Sequence, residues 1–245
     1  SIPRRRSWIM ERVCDPTLDE EAREAAWGEF RSGRDVGAVL LEAREYFTSE
    51  DAKVRSQAMK MLARLLEECD VSQEHVVSVA DFCKGRADDA SVSASALAGL
   101  KVCLERASGD RRQKVAAVAA DCVFDGVFVP AYGQRTRQRA WDLIDDLARL
   151  DDFADGPRLA KGIAKALDGE KDPRCLLRAL RCAEACASRF FFGGGGNQND
   201  DDGGLFDAIE PYFPISFEPP PNDPYGVTPE RLRRALRRGG GGGGG

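Results

Sequence analysis

Apolar residues recur every three or four positions through most of this chain, in long blocks separated by Gly, Pro, Asp and Ser. That spacing is the period of an amphipathic helix, with one apolar stripe to bury and a polar face to leave wet. Four of the blocks align with one another: "EDAKVRSQAMKMLARLLEE" from Glu50, "DDASVSASALAGLKVCLER" from Asp88, "YGQRTRQRAWDLIDDLARL" from Tyr132 and "EKDPRCLLRALRCAEACAS" from Glu170. With Asp51, Asp89, Gly133 and Asp172 as equivalent starts, the spacings are 38, 44 and 39 residues.

A period near 40 belongs to the helical-pair repeats called HEAT and armadillo. The register supports it. The fourth positions are Val54, Val92, Thr136 and Cys175, the eighth Ala58, Ala96, Ala140 and Ala179, and the twelfth Leu62, Leu100, Ile144 and Ala183. These i, i+4, i+8 positions make one stripe, with a small residue at its centre where a neighbouring helix can come close. The first block, with its Val54-Arg55 pair, matches the HEAT pattern best and the fourth matches it least. Second helices of the pairs are expected at 72–84, 110–124, 157–167 and 204–213. Ser72 and Asp89 are expected caps, and Pro157 and Pro173 fall in first turns. Upstream, Thr17 with Glu20 reads as a capping box for a helix to about Arg31, and another helix is expected from Val36 to Phe47.

No alternation of strands and helices appears, apart from the brief Phe213, Ile215, Phe217 pattern. The expected fold is therefore all-α, a HEAT/armadillo-like α-solenoid of stacked antiparallel helix pairs. The chain divides into an extension at 1–15, repeats over 16–192, a low-complexity Gly/Asn/Asp insertion at 193–204, a last helix pair with its Pro-rich connector at 205–238, and polyglycine at 239–245.

Composition narrows the function classes. At 245 residues the chain can bury a sizeable core, and 31% charged with 42% hydrophobic residues excludes general disorder. A net charge of −5 argues against direct nucleic-acid binding, and the basic spots at Arg4–Arg6, Arg111–Lys114 and Arg231–Arg238 read as solvated faces. No stretch approaches the roughly 20 apolar residues of a membrane helix, so a soluble protein is expected. The opening "SIPRRRSWIM" starts with Ser and lacks the apolar run of a signal peptide. The chain therefore reads as a piece of something longer, with an apolar face expected where a next repeat would stack.

Eight cysteines without a C-x-x-C pair suit reduced, buried thiols. Cys175, Cys182 and Cys186 share a helical face, which raises a metal site, but one helix spreads such sulfurs too far apart for one ion, and Cys175 lies on the core stripe. His75 is the only histidine, so no triad or His-based zinc site is expected. Asp145-Asp146, Asp151-Asp152 and Asp200–Asp202 read as caps or solvated charge, and no phosphate-binding Gly motif is present. No catalytic, cofactor-binding or metal-ligating residue is expected, nor any cofactor or small-molecule ligand. Pro221 and Pro224 form a P-x-x-P that a groove could read as polyproline helix. Against that, Tyr212, Phe213, Ile215 and Phe217 are expected to anchor the segment, Asn222-Asp223-Pro224 to turn it, and Thr228-Pro229 to open the next helix.

Two stretches carry a resemblance: "LDGEKDPRCLLRAL" (167–180) and "YFPISFEPPPNDPYGVTPERL" (212–232). Both closely resemble the amino-terminal region of the Mms-nineteen family, and 30–69 is similar to that family's first repeats, so the likeness spans about 16–238. The resemblance implies a non-enzymatic scaffold of the cytosolic iron–sulfur protein assembly targeting complex, found in nucleus and cytoplasm. Such a scaffold presents apo-proteins, DNA repair and replication enzymes among them, for cluster insertion. The partners it implies are proteins, namely assembly components and apo clients. The alternative is a generic HEAT-repeat adaptor in transcription or transport complexes.

Overall fold

In the computed structural model, residues 4–31, 36–127, 129–151, 153–190, 204–212 and 226–240 are described. They are helical almost throughout, with no strand among them, so the fold class is all-α, as the repeat predicts. Between residues 4 and 190 the helices follow one another with short connections, and they bury their apolar stripes against neighbours as the helices of an α-solenoid do. The chain separates into two compact units, 1–118 and 119–245.

In the first unit, α1 (Arg4–Cys14) packs on α2 (Glu20–Phe30) and α5 (Ala52–Glu68) and buries Met10, Val13 and Cys14. Helix α2 (Glu20–Phe30) is capped by Asp19, whose carboxylate accepts from the Ala22 N–H at 2.8 Å. Thr17 bonds Asp15 instead, which corrects the Thr17/Glu20 capping box: Asp19 stands at the helix start and its carboxylate meets the free N–H first. The helix expected over 36–47 is broken at Ala43 into α3 (Val36–Glu42) and α4 (Arg44–Phe47). The break turns Phe47 edge-on to Phe82, with ring centroids 4.9 Å apart.

Helix α5 (Ala52–Glu68) is capped by Asp51 and buries Ala58, Met59, Met61, Leu62, Leu65 and Leu66. It packs on α7 (Ser93–Arg106), which packs in turn on α6 (Val76–Lys84). The approach of α7 is close at Gly99, where an added Cβ would lie 3.0 Å from Cys83 Sγ and 3.2 Å from Leu66 Cδ1. Neither expected cap sits at a helix start. Ser72 and Asp89 each begin a short turn, and their carbonyls accept from Val76 N–H and Ser93 N–H, because a turn precedes each helix. Helix α8 (Gly109–Ala120) runs through the division between the units.

The second unit opens with a π turn, Asp121–Gly126, in place of the continuous helix expected to 124. Next come α9 (Gln134–Arg149), α10 (Gly156–Leu167) with Asp155 as cap and Pro157 in its first turn, and α11 (Pro173–Phe190). Helix α12 (Leu205–Ile209) leads into a short 3-10 turn at Glu210–Tyr212, and α13 (Pro229–Gly240) follows. Helix α11 lies between α9 and α13 on one side of the unit, while α10 packs on α11 and α12. The π turn seats Phe124 on Gly162, where a Cβ would fall 2.1 Å from the ring. In both units the alanine stripe is buried: Ala58, Ala96, Ala140 and Ala179 each have at most 1% of their surface exposed. The twelfth positions are buried too, whereas Val54 and Thr136 are half-buried.

Arginines tie neighbouring aligned helices at both ends. At the start, Arg55 Nε donates to Asp89 Oδ2 at 2.8 Å and its Nη1 to the carbonyls of Ser49 and Glu50. Its equivalent, Arg137, forks onto Glu170 at 2.9 and 3.2 Å and also donates to Tyr132 O. At the end, Arg106 donates to the carbonyls of Glu67 and Cys69, and Arg189 to those of Ala148, Asp151 and Phe153. Glu67 and Ala148 lie in the last turns of α5 and α9, where carbonyls lack intrahelical donors, and the other three carbonyls lie in the connections that follow. Counting from Asp89 and Asp172, Arg106 and Arg189 occupy the same place, 17 residues on.

A polar cluster joins α2 to α5. Glu68 accepts from Trp27 Nε1 at 3.0 Å, Arg31 Nη1 at 2.9 Å and Arg64 Nε at 2.6 Å, and Arg64 also pairs with Glu24 and lies over the Trp27 ring. Arg64 first, then Trp27 and Arg31, hold the Glu68 carboxyl at about 2 against its ordinary 4.5.

Two outcomes follow. Arg137→Ala should cost about 3 kcal/mol in a denaturant melt, because Glu170, with a side chain only 2% exposed, loses its counter-charge. Arg55→Ala should cost about 1 kcal/mol, since Asp89 is 26% exposed and keeps its Ser91 bonds. For Glu68 the folded pKa is depressed, so its contribution is complete above pH 4.5 and is lost as pH falls toward 2. Melts of Glu68→Gln through that window should show a flatter acid limb than the parent.

Candidate functional site

Three helices of the second unit bound a groove of about 460 Å³. Helix α9 supplies Gln138, Asp142 and Asp145, spaced i, i+4, i+7 on one face. Helix α11 supplies Arg174, Arg178 and Arg181 with the same spacing and Leu177 between them. Val227 and Arg231 close it from α13 and the residues leading into that helix. Thr228 caps α13, its hydroxyl accepting from the Arg231 N–H, with Pro229 in the first turn as expected. This cap sets where Arg231 enters the groove.

The charges inside are unevenly satisfied. Arg178 pairs with Asp142, Arg149 with Asp145 at 2.9 Å, Arg174 with Asp172 at 3.1 Å, and Arg231 donates to Gly226 O at 2.5 Å. Although Asp142 is beside it, burial first and then the like charges of Arg139 and Arg181 hold the Arg178 pKa below the usual guanidinium value. Arg181 is exposed and has no hydrogen bond or ion pair among the described residues. Beneath lies Trp141, fully buried, its indole N–H without an acceptor. Leaving such a donor unpaired costs about 1–3 kcal/mol.

The candidate residues of the sequence fall elsewhere. Cys175, Cys182 and Cys186 all point into the core, and Cys182 Sγ lies 3.7 Å from Trp141 O. Burial pushes the thiols of Cys175 and Cys186 up to about 12 and that of Cys182 well above its ordinary value. No cluster of three or more His, Cys, Asp or Glu residues suited to a metal ion occurs among the described residues. His75 precedes α6, its Nδ1 3.1 Å from Ser72 Oγ. Asp145 is engaged by Arg149, and the Asp151 carbonyl by Arg189. Tyr212 does anchor its segment, donating to Leu167 O at 2.7 Å. Asp152, Asp200–Asp202, Phe213, Ile215, Phe217, Pro221, Asn222, Asp223 and Pro224 lie outside the described residues. Sequence reasoning misses the groove arginines of α11, although their i, i+4, i+7 spacing is readable there. Arg231 belongs to the basic run expected to be a solvated face; it is exposed, and it also lines the groove.

Comparison with known proteins supplies a family. Residues 41–239 match the family model described as "Dos2-interacting transcription regulator of RNA-Pol-II". The chain is 31% identical over 196 residues to the human "MMS19 nucleotide excision repair protein homolog", covering 76% of this chain and 18% of that protein. Against the zebrafish protein of the same name it is 27% identical over 238 residues, 94% of this chain and 22% of the relative. Against the budding-yeast relative, named as a DNA repair/transcription protein, it is 25% identical over 224 residues, 81% and 20% respectively. The chain thus spans about a fifth of the length of the curated relatives it matches.

Thiols this buried and this weakly acidic are poor nucleophiles and poor ligands. Under native conditions at pH 8 a disulfide reagent should label Cys69, which is half-buried, and leave Cys175, Cys182 and Cys186 untouched until the chain unfolds. Cys182→Ser should lower stability by about 1–3 kcal/mol, by placing a hydroxyl in an apolar site, and release no metal.

Proposed function

This chain belongs to the MMS19 family of DNA repair and transcription proteins, and from that membership we propose that it is part of a non-enzymatic adaptor for iron–sulfur protein assembly. In this reading its helical repeats present apo-proteins, including DNA repair and replication enzymes, to the cytosolic assembly targeting complex. Its partners are proteins, and it works in cytoplasm and nucleus. Clusters are cargo handled by those partners rather than held by this chain.

The observation that carries the cluster-free part of the reading is the state of Cys175, Cys182 and Cys186. Cluster binding needs thiolates that an iron can reach. Here the sulfurs are buried with pKa values raised by that burial, and they serve as packing between helices. Among the described residues the wet face of the helix pairs is open to other molecules, and extended surfaces of this type are how helical repeats bind proteins.

A second reading is an adaptor in transcription complexes without an iron–sulfur role. The description of the matching family as a transcription regulator favours it.

Affinity purification from cells with the longest form of the protein, followed by mass spectrometry, separates the two. Iron–sulfur enzymes and assembly components among the enriched proteins are the expected result. Recovery of transcription subunits alone would move the assignment to the second reading. Iron and sulfide measured at stoichiometric levels in the purified chain would sink the carrier-free part of the proposal.

A further inference from the structure

We propose that the groove between α9, α11 and α13 is a docking site for an acidic peptide segment of a partner protein, whose carboxylates are taken by Arg181 and Arg231. The inference rests on the adaptor reading only in treating this face as a protein-binding surface.

Charge is the first argument. The groove is lined by four arginines against two aspartates. Both aspartates are already paired, Asp142 with Arg178 and Asp145 with Arg149. Arg181 has no partner among the described residues and stands exposed beside Arg178, with Arg139 also in the field of that guanidinium. Like charges gathered this way repel one another unless an anion is shared between them. A guanidinium accepts a carboxylate on two parallel N–H bonds, which gives the site direction as well as attraction. The unpaired indole N–H of Trp141 adds a positive edge beneath.

Shape is the second. A volume of about 460 Å³ lies within the roughly 300–1,000 Å³ of pockets that hold small ligands or a few side chains. Leu177 and Val227 give the floor an apolar strip for the stem of a Glu or for an aliphatic neighbour in the same peptide. A nucleic-acid strand fits less well. Its phosphates follow one another at fixed, close spacing, and on this surface they would run against Asp142 and Asp145. A peptide can place its carboxylates at the arginines and a backbone N–H or hydroxyl at the aspartates.

The test uses the 245-residue chain and a fluorescein-labelled peptide built of repeated Glu-Ser-Asp-Leu units, read by fluorescence anisotropy. Saturable binding that weakens as salt rises is expected, with no binding of the Gln/Asn version of the peptide. Arg181→Glu and Arg231→Glu, both at exposed positions, should each weaken binding about tenfold while circular dichroism and melting stay as in the parent. Lys161→Glu on α10 carries the same charge change outside the groove and should have little effect. Equal losses from Arg181→Glu and Lys161→Glu would reduce the effect to diffuse attraction and overturn the site. Tighter binding of a single-stranded oligonucleotide of matched charge would overturn the choice of partner. Failure of the peptide to bind at all removes the groove and leaves the adaptor proposal standing, because client recovery from cells is measured separately.

Discussion

Four guanidinium groups do what the apolar stripe alone cannot. Burial of leucines and alanines holds two helices together but is indifferent to sliding, since the stripe repeats at every turn. An arginine at one end of a helix, bonded to an acid or to free carbonyls of its neighbour, has a single position in which its donors are satisfied. Arg55 and Arg137 set the starts of the aligned helices by meeting Asp89 and Glu170. Arg106 and Arg189 set the ends by closing the last carbonyls of α5 and α9. Each unit therefore holds one pair of aligned helices locked at both ends. The same device appears twice, at matching places in the repeat, with no more help than a fork of N–H donors.

Register in turn decides which side chains meet across the wet face. Once α9 and α11 are fixed by Arg137 and Arg189, residues spaced i, i+4, i+7 on each helix must lie opposite one another. Gln138, Asp142 and Asp145 then face Arg174, Arg178 and Arg181, and the groove is a by-product of the locking. Its electrostatic character comes from inequality between the two rows. Aspartates on α9 have arginines on their own helix or across the groove to satisfy them, whereas α11 has one arginine too many. A slip of one turn would leave the apolar stripe covered but would move every one of these pairings.

Much of this was legible in the chain, and the parts that were not have physical causes. The repeat, the buried alanines and the leucine row were readable because they depend on period, and period survives in any single sequence. Pro157, Pro173 and Pro229 were readable because a fixed φ suits a first turn. Caps were harder. Asp19, not Thr17, meets the free N–H groups of α2, since Asp15, Thr17 and Asp19 compete within a few residues and only the geometry of entry chooses among them. The break at Ala43 and the π turn at Asp121 have no local sign. Each goes with a contact far along the chain, Phe47 on Phe82 and Phe124 on the bare backbone at Gly162. The groove was hidden for a different reason. Its walls come from segments about 40 and 50 residues apart, whose charges cancel in any sum along the chain and separate only when the helices are laid side by side.

The cysteines show how the same locking bears on the proposed role. A cluster carrier must keep thiolates accessible, which means polar surroundings and sulfurs brought together from more than one element. In α11 the three sulfurs are buried, Cys182 against the Trp141 carbonyl of α9, and Cys175 occupies the core stripe itself. Freeing them would require α11 to leave its neighbours, and that would break the Arg137 and Arg189 contacts together. An adaptor has the opposite requirement, a core that stays closed while its charged outer face is presented to another protein. In this chain the sulfur is spent on the core and the unsatisfied charge is left outside, which is the division of labour that a scaffold for other proteins' clusters would need.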